Sequence, residues 1–135
     1  MNANASVLIV DDEESVRRSY ARLLGSARCE ADSVANGAEA LRAMERRPYD
    51  VVLLDLRMPG EDGLTVLASI KRRWPGCEVV VVTGYPEIGS AKRALELGAC
   101  DYLAKPPDPD ALLGAARGAM LHKQWTLQAE PAAVH

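Results

Sequence analysis

The sequence lacks the features that mark several large classes of protein. It has no apolar run near the roughly 20 residues that a membrane-spanning helix needs, and its first residues lack the charged-then-apolar order of a signal peptide. It also lacks an excess of basic residues, since the formal net charge is -3, and this does not favour a nucleic-acid surface. We therefore expect a cytoplasmic protein that contacts neither a membrane nor nucleic acid.

Cysteine and histidine are both scarce. The three cysteines, Cys29, Cys77 and Cys100, are an odd set without the spacing of a metal site. Each stands near the start of a predicted strand, which favours small buried thiols over a disulfide. The two histidines, His122 and His135, have no visible partner in the pattern, and we expect both on the surface.

The length of 135 residues suits one domain with a two-sided core, and strand-like and helix-like segments alternate five times along it. Strands are predicted over residues 6–10, 29–34, 50–54, 77–82 and 100–104, and the helices that follow them end near residues 26, 47, 74, 97 and 123. The mixed polarity of the second strand suits the edge of a sheet. Asn36 with Glu39, and Asp108 before Pro109, are typical of helix starts.

This alternation predicts an α/β fold, because short right-handed crossovers give a parallel sheet with helices on both faces. We expect a flavodoxin-like (βα)5 three-layer sandwich with strand order 2-1-3-4-5. A Rossmann-type order stays open from the alternation alone, but the first turn, Val10–Glu13, has no glycine fingerprint for a dinucleotide. Residues 1–125 are predicted to form the domain, and residues 126–135 a flexible tail or the start of a linker.

The centre of the chain carries a carboxylate at the end of a buried strand. Four aliphatic residues, Val51–Leu54, predict a strand covered on both faces, and Asp55 follows them directly before the turn at Pro59 and Gly60. Ligands of open parallel sheets bind at the carboxyl ends of the strands. Taken alone, Asp55 fits a functional carboxylate and a turn cap equally well.

Chemically capable residues also follow three of the other predicted strands: Asp11 and Asp12, then Thr83, then Lys105. Each has an ordinary explanation by itself, as an acid before a helix, a turn hydroxyl or a loop cation. Parallel strands bring these ends together, and converging carboxylates repel unless a cation bridges them. Magnesium (Mg²⁺) prefers such oxygen ligands, the lysine and hydroxyl would complete a phosphoryl site, and Asp55 would be its nucleophile.

Four segments together resemble the receiver domain of bacterial two-component response regulators. They are VDDE at 10–13, LLDLRMPGEDG at 53–63, VTGY at 82–85 and GACDYLAKP at 98–106. The resemblance extends from about Ser6 to Met120, and the last two segments are most similar to receivers of the NtrC and RegA/PrrA groups. It implies a phosphoacceptor domain served by a sensor histidine kinase, and not an enzyme acting on an external substrate.

The resemblance also implies a role for each matching residue. Asp55 matches the phosphorylated aspartate. Asp12 matches a direct Mg²⁺ ligand, Asp11 a partner that acts largely through metal-bound water, and the carbonyl of Arg57 a third protein ligand.

The remaining matches concern the phosphate and the switch. Lys105 matches the lysine that binds the phosphate, and its bond to Pro106 matches a peptide bond that is cis in the family. Thr83 and Tyr102 match the pair that rearranges on phosphorylation, and Arg57 and Tyr85 match positions that tune dephosphorylation. The signal is expected to leave through the fourth helix, fifth strand and fifth helix, a face that also serves for a phosphorylation-dependent homodimer.

Two other functions stay open at this point. A phosphohydrolase with an aspartyl-phosphate intermediate would need a carboxylate two residues after Asp55, where Arg57 stands. A degenerate receiver would serve only as a protein-interaction module, although every residue of the pocket is present. No output activity can be assigned to this sequence, and control of transcription would require a further domain.

Overall fold

One parallel sheet and the helices on its two faces make up the fold. The computed structural model describes the backbone of residues 5–134 and the side chains of residues 5–123. Within these residues the strands are β1 (Ser6–Val10), β2 (Glu30–Val34), β3 (Val51–Leu54), β4 (Glu78–Thr83) and β5 (Asp101–Ala104), and the helices are α1 (Glu14–Ser26), α2 (Gly37–Arg46), α3 (Gly63–Arg73), α4 (Ile88–Glu96) and α5 (Pro109–Val134). The order β2-β1-β3-β4-β5 is all parallel and confirms the predicted flavodoxin-like topology.

Alternation along the central strands divides the core into two halves. Leu8 and Val10 of β1 face α2, α3 and α4, whereas Val7 and Ile9 face α1 and α5. Every residue of β3 and β4 is buried, as expected for strands covered on both faces. The polar β2 lies at the edge of the sheet, as its composition predicted. None of the helices in residues 5–134 combines the length and apolar character that crossing a bilayer demands.

The predicted helix caps are present. Asn36 Oδ1 accepts from Glu39 N at 2.9 Å, while Glu39 Oε1 accepts from Ala35 N at 3.0 Å, which resembles a capping box except that the glutamate binds the amide just before the cap. Helix α5 begins at Pro109, and the side chain of Asp108 accepts hydrogen bonds from the next free backbone amides of that helix.

Three details differ from the sequence-based expectations. Strand β4 includes Thr83, which had been placed just after the strand. A short antiparallel hairpin, Arg57–Met58 with Glu61–Asp62, was not foreseen. Helix α5 continues to Val134 rather than ending near residue 123, so residues 126–134 are helical in backbone. A domain boundary at residue 125 stays a prediction.

The expectation that His122 has no partner was wrong. Its Nδ1 lies 2.6 Å from Oε2 of Glu78, a buried residue at the start of β4. The next residue, Lys123, donates to Asp50 Oδ1 at 2.8 Å, just before β3. We call these two contacts the α5 clamp, because they tie α5 to the end of the sheet at which the strands begin. His135 lies outside the described residues.

Candidate functional site

The carboxyl ends of β1 and β3 bring three carboxylates together. Oxygen atoms of Asp11, Asp12 and Asp55 all lie within 4.8 Å of one another. Asp11 and Asp55 are only 2% and 5% exposed, whereas Asp12 is exposed. Their positions follow from the sheet, because the amide of Asp55 donates to the carbonyl of Val10 and the amide of Asp11 donates to the carbonyl of Val34, so the pairing continues one residue beyond β3 and β1. The structure therefore places the three predicted acids in one cluster.

The two buried carboxylates are held in the same way. Asp11 Oδ1 accepts from Glu13 N at 2.9 Å, and Asp55 Oδ1 accepts from Arg57 N at 3.0 Å. Each acid thus uses one oxygen to close a turn onto the backbone amide two residues later. The other oxygen of each, Oδ2, faces the side chain of Lys105.

Lys105 joins the two buried carboxylates. Its Nζ donates to Asp11 Oδ2 at 2.5 Å and to Asp55 Oδ2 at 3.0 Å, and only 14% of the side chain is exposed. Burial by itself lowers the pKa of Lys105, but its hydrogen bonds to the two aspartates and their negative charge raise it above the ordinary value of 10.5. The peptide bond from Lys105 to Pro106 is cis, as predicted.

Thr83 and Tyr102 lie beside this cluster without joining it. The Thr83 side chain is fully buried, and its Oγ1 accepts from Tyr85 N at 3.3 Å instead of contacting a carboxylate. Tyr102 is half-buried against the core on the α2–α4 side, and its hydroxyl accepts from Glu87 N at 3.4 Å, next to the start of α4. The two residues of the predicted switch pair therefore stand on neighbouring strands, β4 and β5, with the tyrosine linked to α4.

Arg57 and Tyr85 come together at the outer side of the site. The guanidinium carbon of Arg57 lies 4.1 Å from the centroid of the Tyr85 ring, a cation–π arrangement. Tyr85 is 60% exposed, so the pair is in contact with solvent. The sequence had placed both residues near the site but had not predicted their mutual contact.

The donor set fits a hard divalent cation. It offers three carboxylate groups against one ammonium group, and the carboxylate oxygens lie close enough to share one ion. Mg²⁺ is bound in proteins by such oxygens together with water. A ligand role for the carbonyl of Arg57, and the division of work between Asp11 and Asp12, stay predictions.

Comparison with known proteins identifies the family. The family model of the response regulator receiver domain matches residues 7–117. The chain belongs to the receiver-domain family. This confirms the resemblance found in the sequence and agrees with the fold described above.

Relatives of the receiver include much longer regulators. It is 40% identical over 118 residues to the DNA-binding transcriptional regulator NtrC of Escherichia coli (strain K12), which is 87% of this chain and 25% of that protein. It is 38% identical over 109 residues to a putative NtrX-like response regulator of Rickettsia felis, or 79% of this chain and 23% of that protein. The chain therefore spans about a quarter of the length of these curated relatives.

Solved structures agree with this placement. A CheY-like receiver domain protein from Methanospirillum hungatei JF-1 superposes with a TM-score of 0.88 at 26% identity, covering 92% of this chain and 99% of that one. NtrX from Brucella abortus gives a TM-score of 0.89 at 31% identity, covering 95% of this chain and 30% of that one. The receiver fold thus accounts for nearly the whole chain.

One residue near the site escaped the sequence reasoning. Glu61, in the loop between β3 and α3, directs its carboxylate at the start of α2. Its side chain accepts from Gly37 N at 2.6 Å and from Ala38 N at 3.1 Å. Nothing in the sequence indicates this contact, because the pairing of Asn36 with Glu39 already explained where α2 begins.

Proposed function

We propose that this receiver accepts a phosphoryl group on Asp55 in a Mg²⁺-dependent reaction, with a sensor histidine kinase as donor. Receiver domains of response regulators are phosphorylated by such kinases. The observation that supports the proposal most directly is the contact of Lys105 Nζ with both Asp55 and Asp11 at the carboxyl edge of the sheet. It provides a buried acceptor carboxylate with a cation already beside it.

The proposed transfer assigns a role to each side chain of the cluster. A carboxylate oxygen of Asp55 attacks the phosphorus of a phosphohistidine, the phosphorus–nitrogen bond breaks, and its electron pair stays on the imidazole nitrogen. The bond from Arg57 N orients the Asp55 carboxylate during this step. Lys105 turns from Asp55 to a phosphoryl oxygen. Asp11, Asp12 and Asp55, with the carbonyl of Arg57, would hold Mg²⁺, whose charge offsets that of the carboxylates and the phosphoryl oxygens.

The switch that follows starts at Thr83. Its hydroxyl has one long bond, from Tyr85 N at 3.3 Å, and a charged phosphoryl oxygen is a stronger acceptor for its proton. We propose that the hydroxyl turns to the phosphoryl group and that Tyr102 moves inward, away from Glu87 N, which releases the start of α4.

The face formed by α4, β5 and α5 is the proposed exit for the signal. Ile88 and Leu95 of α4 are 90% and 52% exposed, which gives this face apolar surface for a partner or a second copy of the receiver. The relatives named as DNA-binding regulators suggest that a further domain converts the signal into control of transcription in the cytoplasm. No turnover of an external substrate is proposed, only phosphorylation and dephosphorylation of the receiver itself.

Intact-protein mass after treatment with acetyl phosphate tests the acceptor. The wild type should gain about 80 Da, the mass of one phosphoryl group, in Mg²⁺ but not in EDTA, and Asp55→Asn should gain nothing. Asp62→Asn is the matched control, because Asp62 lies in the same loop but binds Leu64 N and Thr65 at the start of α3. It should keep the gain.

A phosphorylated sensor histidine kinase then replaces acetyl phosphate to test the donor. Labelling of Asp55→Asn at the wild-type level would reject Asp55 as acceptor. A wild type that gains no mass from either donor in Mg²⁺ would instead favour an interaction module.

A further inference from the structure

Glu61 connects the loop that follows Asp55 to a different helix. Its two carboxylate oxygens each accept one backbone amide of the first turn of α2, from Gly37 at 2.6 Å and from Ala38 at 3.1 Å. Asn36 accepts the third amide, that of Glu39. The start of α2 is therefore capped jointly by its own residue and by a carboxylate from a loop more than 20 residues away in sequence.

The contact with Glu61 requires a residue without a side chain at position 37. A Cβ atom at this position would lie 2.5 Å from Val66 Cγ2 and 3.0 Å from Glu61 Oε2. Only glycine therefore lets the first turn of α2 approach the carboxylate of Glu61 and the side of α3 this closely. The close approach leaves little room for the loop to shift relative to α2.

Glu61 is connected to Asp55 through the short hairpin and one backbone hydrogen bond. In the short hairpin Glu61 pairs with Met58, and the neighbouring pair joins Asp62 to Arg57. The amide of Arg57 is the group that holds Asp55 Oδ1. A displacement of Glu61 therefore moves the strand that orients the acceptor carboxylate.

The strand that leads into α2 is tied to the loop of Asp11. The carbonyl of Val34, two residues before the Asn36 cap, accepts from Asp11 N at 3.2 Å. The start of α2 is thus bound directly by Glu61 of the loop after Asp55, and it follows the β2 residue that binds the amide of Asp11.

We infer that Glu61 is a positioning residue for the phosphoacceptor site. By binding the first turn of α2, it fixes the loop after β3 so that Asp55 and Arg57 keep the geometry required for Mg²⁺ and for phosphoryl transfer. This inference rests on the proposed function. Partners that orient metal ligands commonly change metal affinity about 10- to 100-fold when they are removed.

The alternative is that Glu61 only caps α2, and the chain offers a matched control for it. Glu39 is also a carboxylate that accepts a backbone amide at the start of α2, from Ala35, but among the described residues it forms no hydrogen bond or ion pair with the loop after β3. Glu61→Gln and Glu39→Gln should therefore weaken the same helix end. Only Glu61→Gln should disturb the site.

Two measurements separate these roles. Without metal, hydrogen exchange followed by NMR should show the Arg57 amide exchanging at least about fivefold faster in Glu61→Gln than in Glu39→Gln. Calorimetric titration with Mg²⁺ should give a dissociation constant about tenfold higher in Glu61→Gln, and unchanged in Glu39→Gln. Glu61→Asp, which keeps the charge on a shorter side chain, is a second variant if Glu61→Gln does not fold, and it should show smaller changes in the same direction.

Each outcome has a defined meaning. Equal Arg57 exchange in the two glutamine variants would overturn the inference, as would faster exchange combined with wild-type Mg²⁺ affinity. A wild type that binds no Mg²⁺ would reject the metal dependence in the proposed function, while the metal-free exchange rates would still decide whether Glu61 positions Arg57.

Discussion

Replacing Lys105 by methionine should make the folding stability of the receiver depend strongly on Mg²⁺. The substitution keeps an unbranched apolar stem but removes the ammonium group that bonds Asp11 and Asp55. Both aspartates are at most 5% exposed, so they would face each other with no cation between them.

The size of the loss follows from this burial. Removing one partner of a buried ion pair costs about 3–5 kcal/mol of unfolding free energy, and we expect about 3 because the exposed Asp12 leaves one side of the site open to water. The pKa of Lys105 is raised above 10.5, so its stabilising contribution is fully present below that pH and is lost only as the pH rises through the folded-state pKa. Measurements at pH 8 therefore record the whole effect.

Mg²⁺ should restore part of this loss. The dication takes over the neutralising role of the ammonium group, and it no longer competes with Lys105 for the two carboxylates. If the variant binds Mg²⁺ tenfold more tightly than the wild type, saturating Mg²⁺ reduces the difference in unfolding free energy between the two proteins by about 1.4 kcal/mol.

Urea denaturation in EDTA and in saturating Mg²⁺ measures both quantities. Lys123→Met is the control, because it removes a partly exposed ion pair with Asp50 at the opposite edge of the sheet. It should cost about 1 kcal/mol or less, equally in both buffers. The reasoning fails if Lys105→Met costs no more than this control in EDTA, or if Mg²⁺ stabilises the wild type and Lys105→Met equally.

Three shorter predictions follow from single positions. Gly63→Ala should lose at least about 2 kcal/mol in urea denaturation, because its Cβ would lie 2.4 Å from the Leu56 backbone, whereas Gly114→Ala, with nothing within 4 Å, should gain up to about 1 kcal/mol. Burial raises the pKa of the Cys77 thiol to about 12, so at pH 8 only about one molecule in ten thousand is thiolate. Iodoacetamide should therefore label Cys77 only after unfolding, and fast labelling of the native protein would contradict this. Thr83→Ala should still gain a phosphoryl group by mass spectrometry, but the NMR shifts of α4 amides on phosphorylation should disappear; their persistence would remove Thr83 from the switch.

The part of the site that the sequence predicted is the part that the sheet itself assembles. Asp11, Asp55 and Lys105 each follow a strand, and parallel strands place their carboxyl ends on one edge. Because the aliphatic runs of β1 and β3 show where those strands end, the contact between the three residues required no knowledge of side-chain packing. The helix caps were predictable for similarly local reasons, whereas the alternation alone left a Rossmann-type strand order open and only the missing glycine fingerprint disfavoured it.

Contacts that depend on how helices lie over the sheet were not predictable. His122 meets Glu78 across 44 residues, and that meeting depends on the angle at which α5 crosses β4. Glu61 is similar, because nothing in its own segment indicates that α2 begins beside it. The extension of α5 beyond residue 123 had a local cause that was overlooked, since no glycine or proline interrupts the sequence from Ala119 to Glu130.

The α5 clamp provides a fixed point about which the last helix can tilt. His122 and Lys123 fix the helix near its middle, at the edge of the sheet opposite to Asp55. From this pivot one arm of roughly 20 Å reaches back to Pro109, four residues after Lys105, and the other arm of roughly 17 Å reaches forward to Val134. A rigid tilt that displaces the arm ending at Pro109 therefore displaces the far arm in the opposite direction by nearly the same distance. If phosphorylation of Asp55 tilted α5, the movement would in this way appear beyond the opposite ends of the strands.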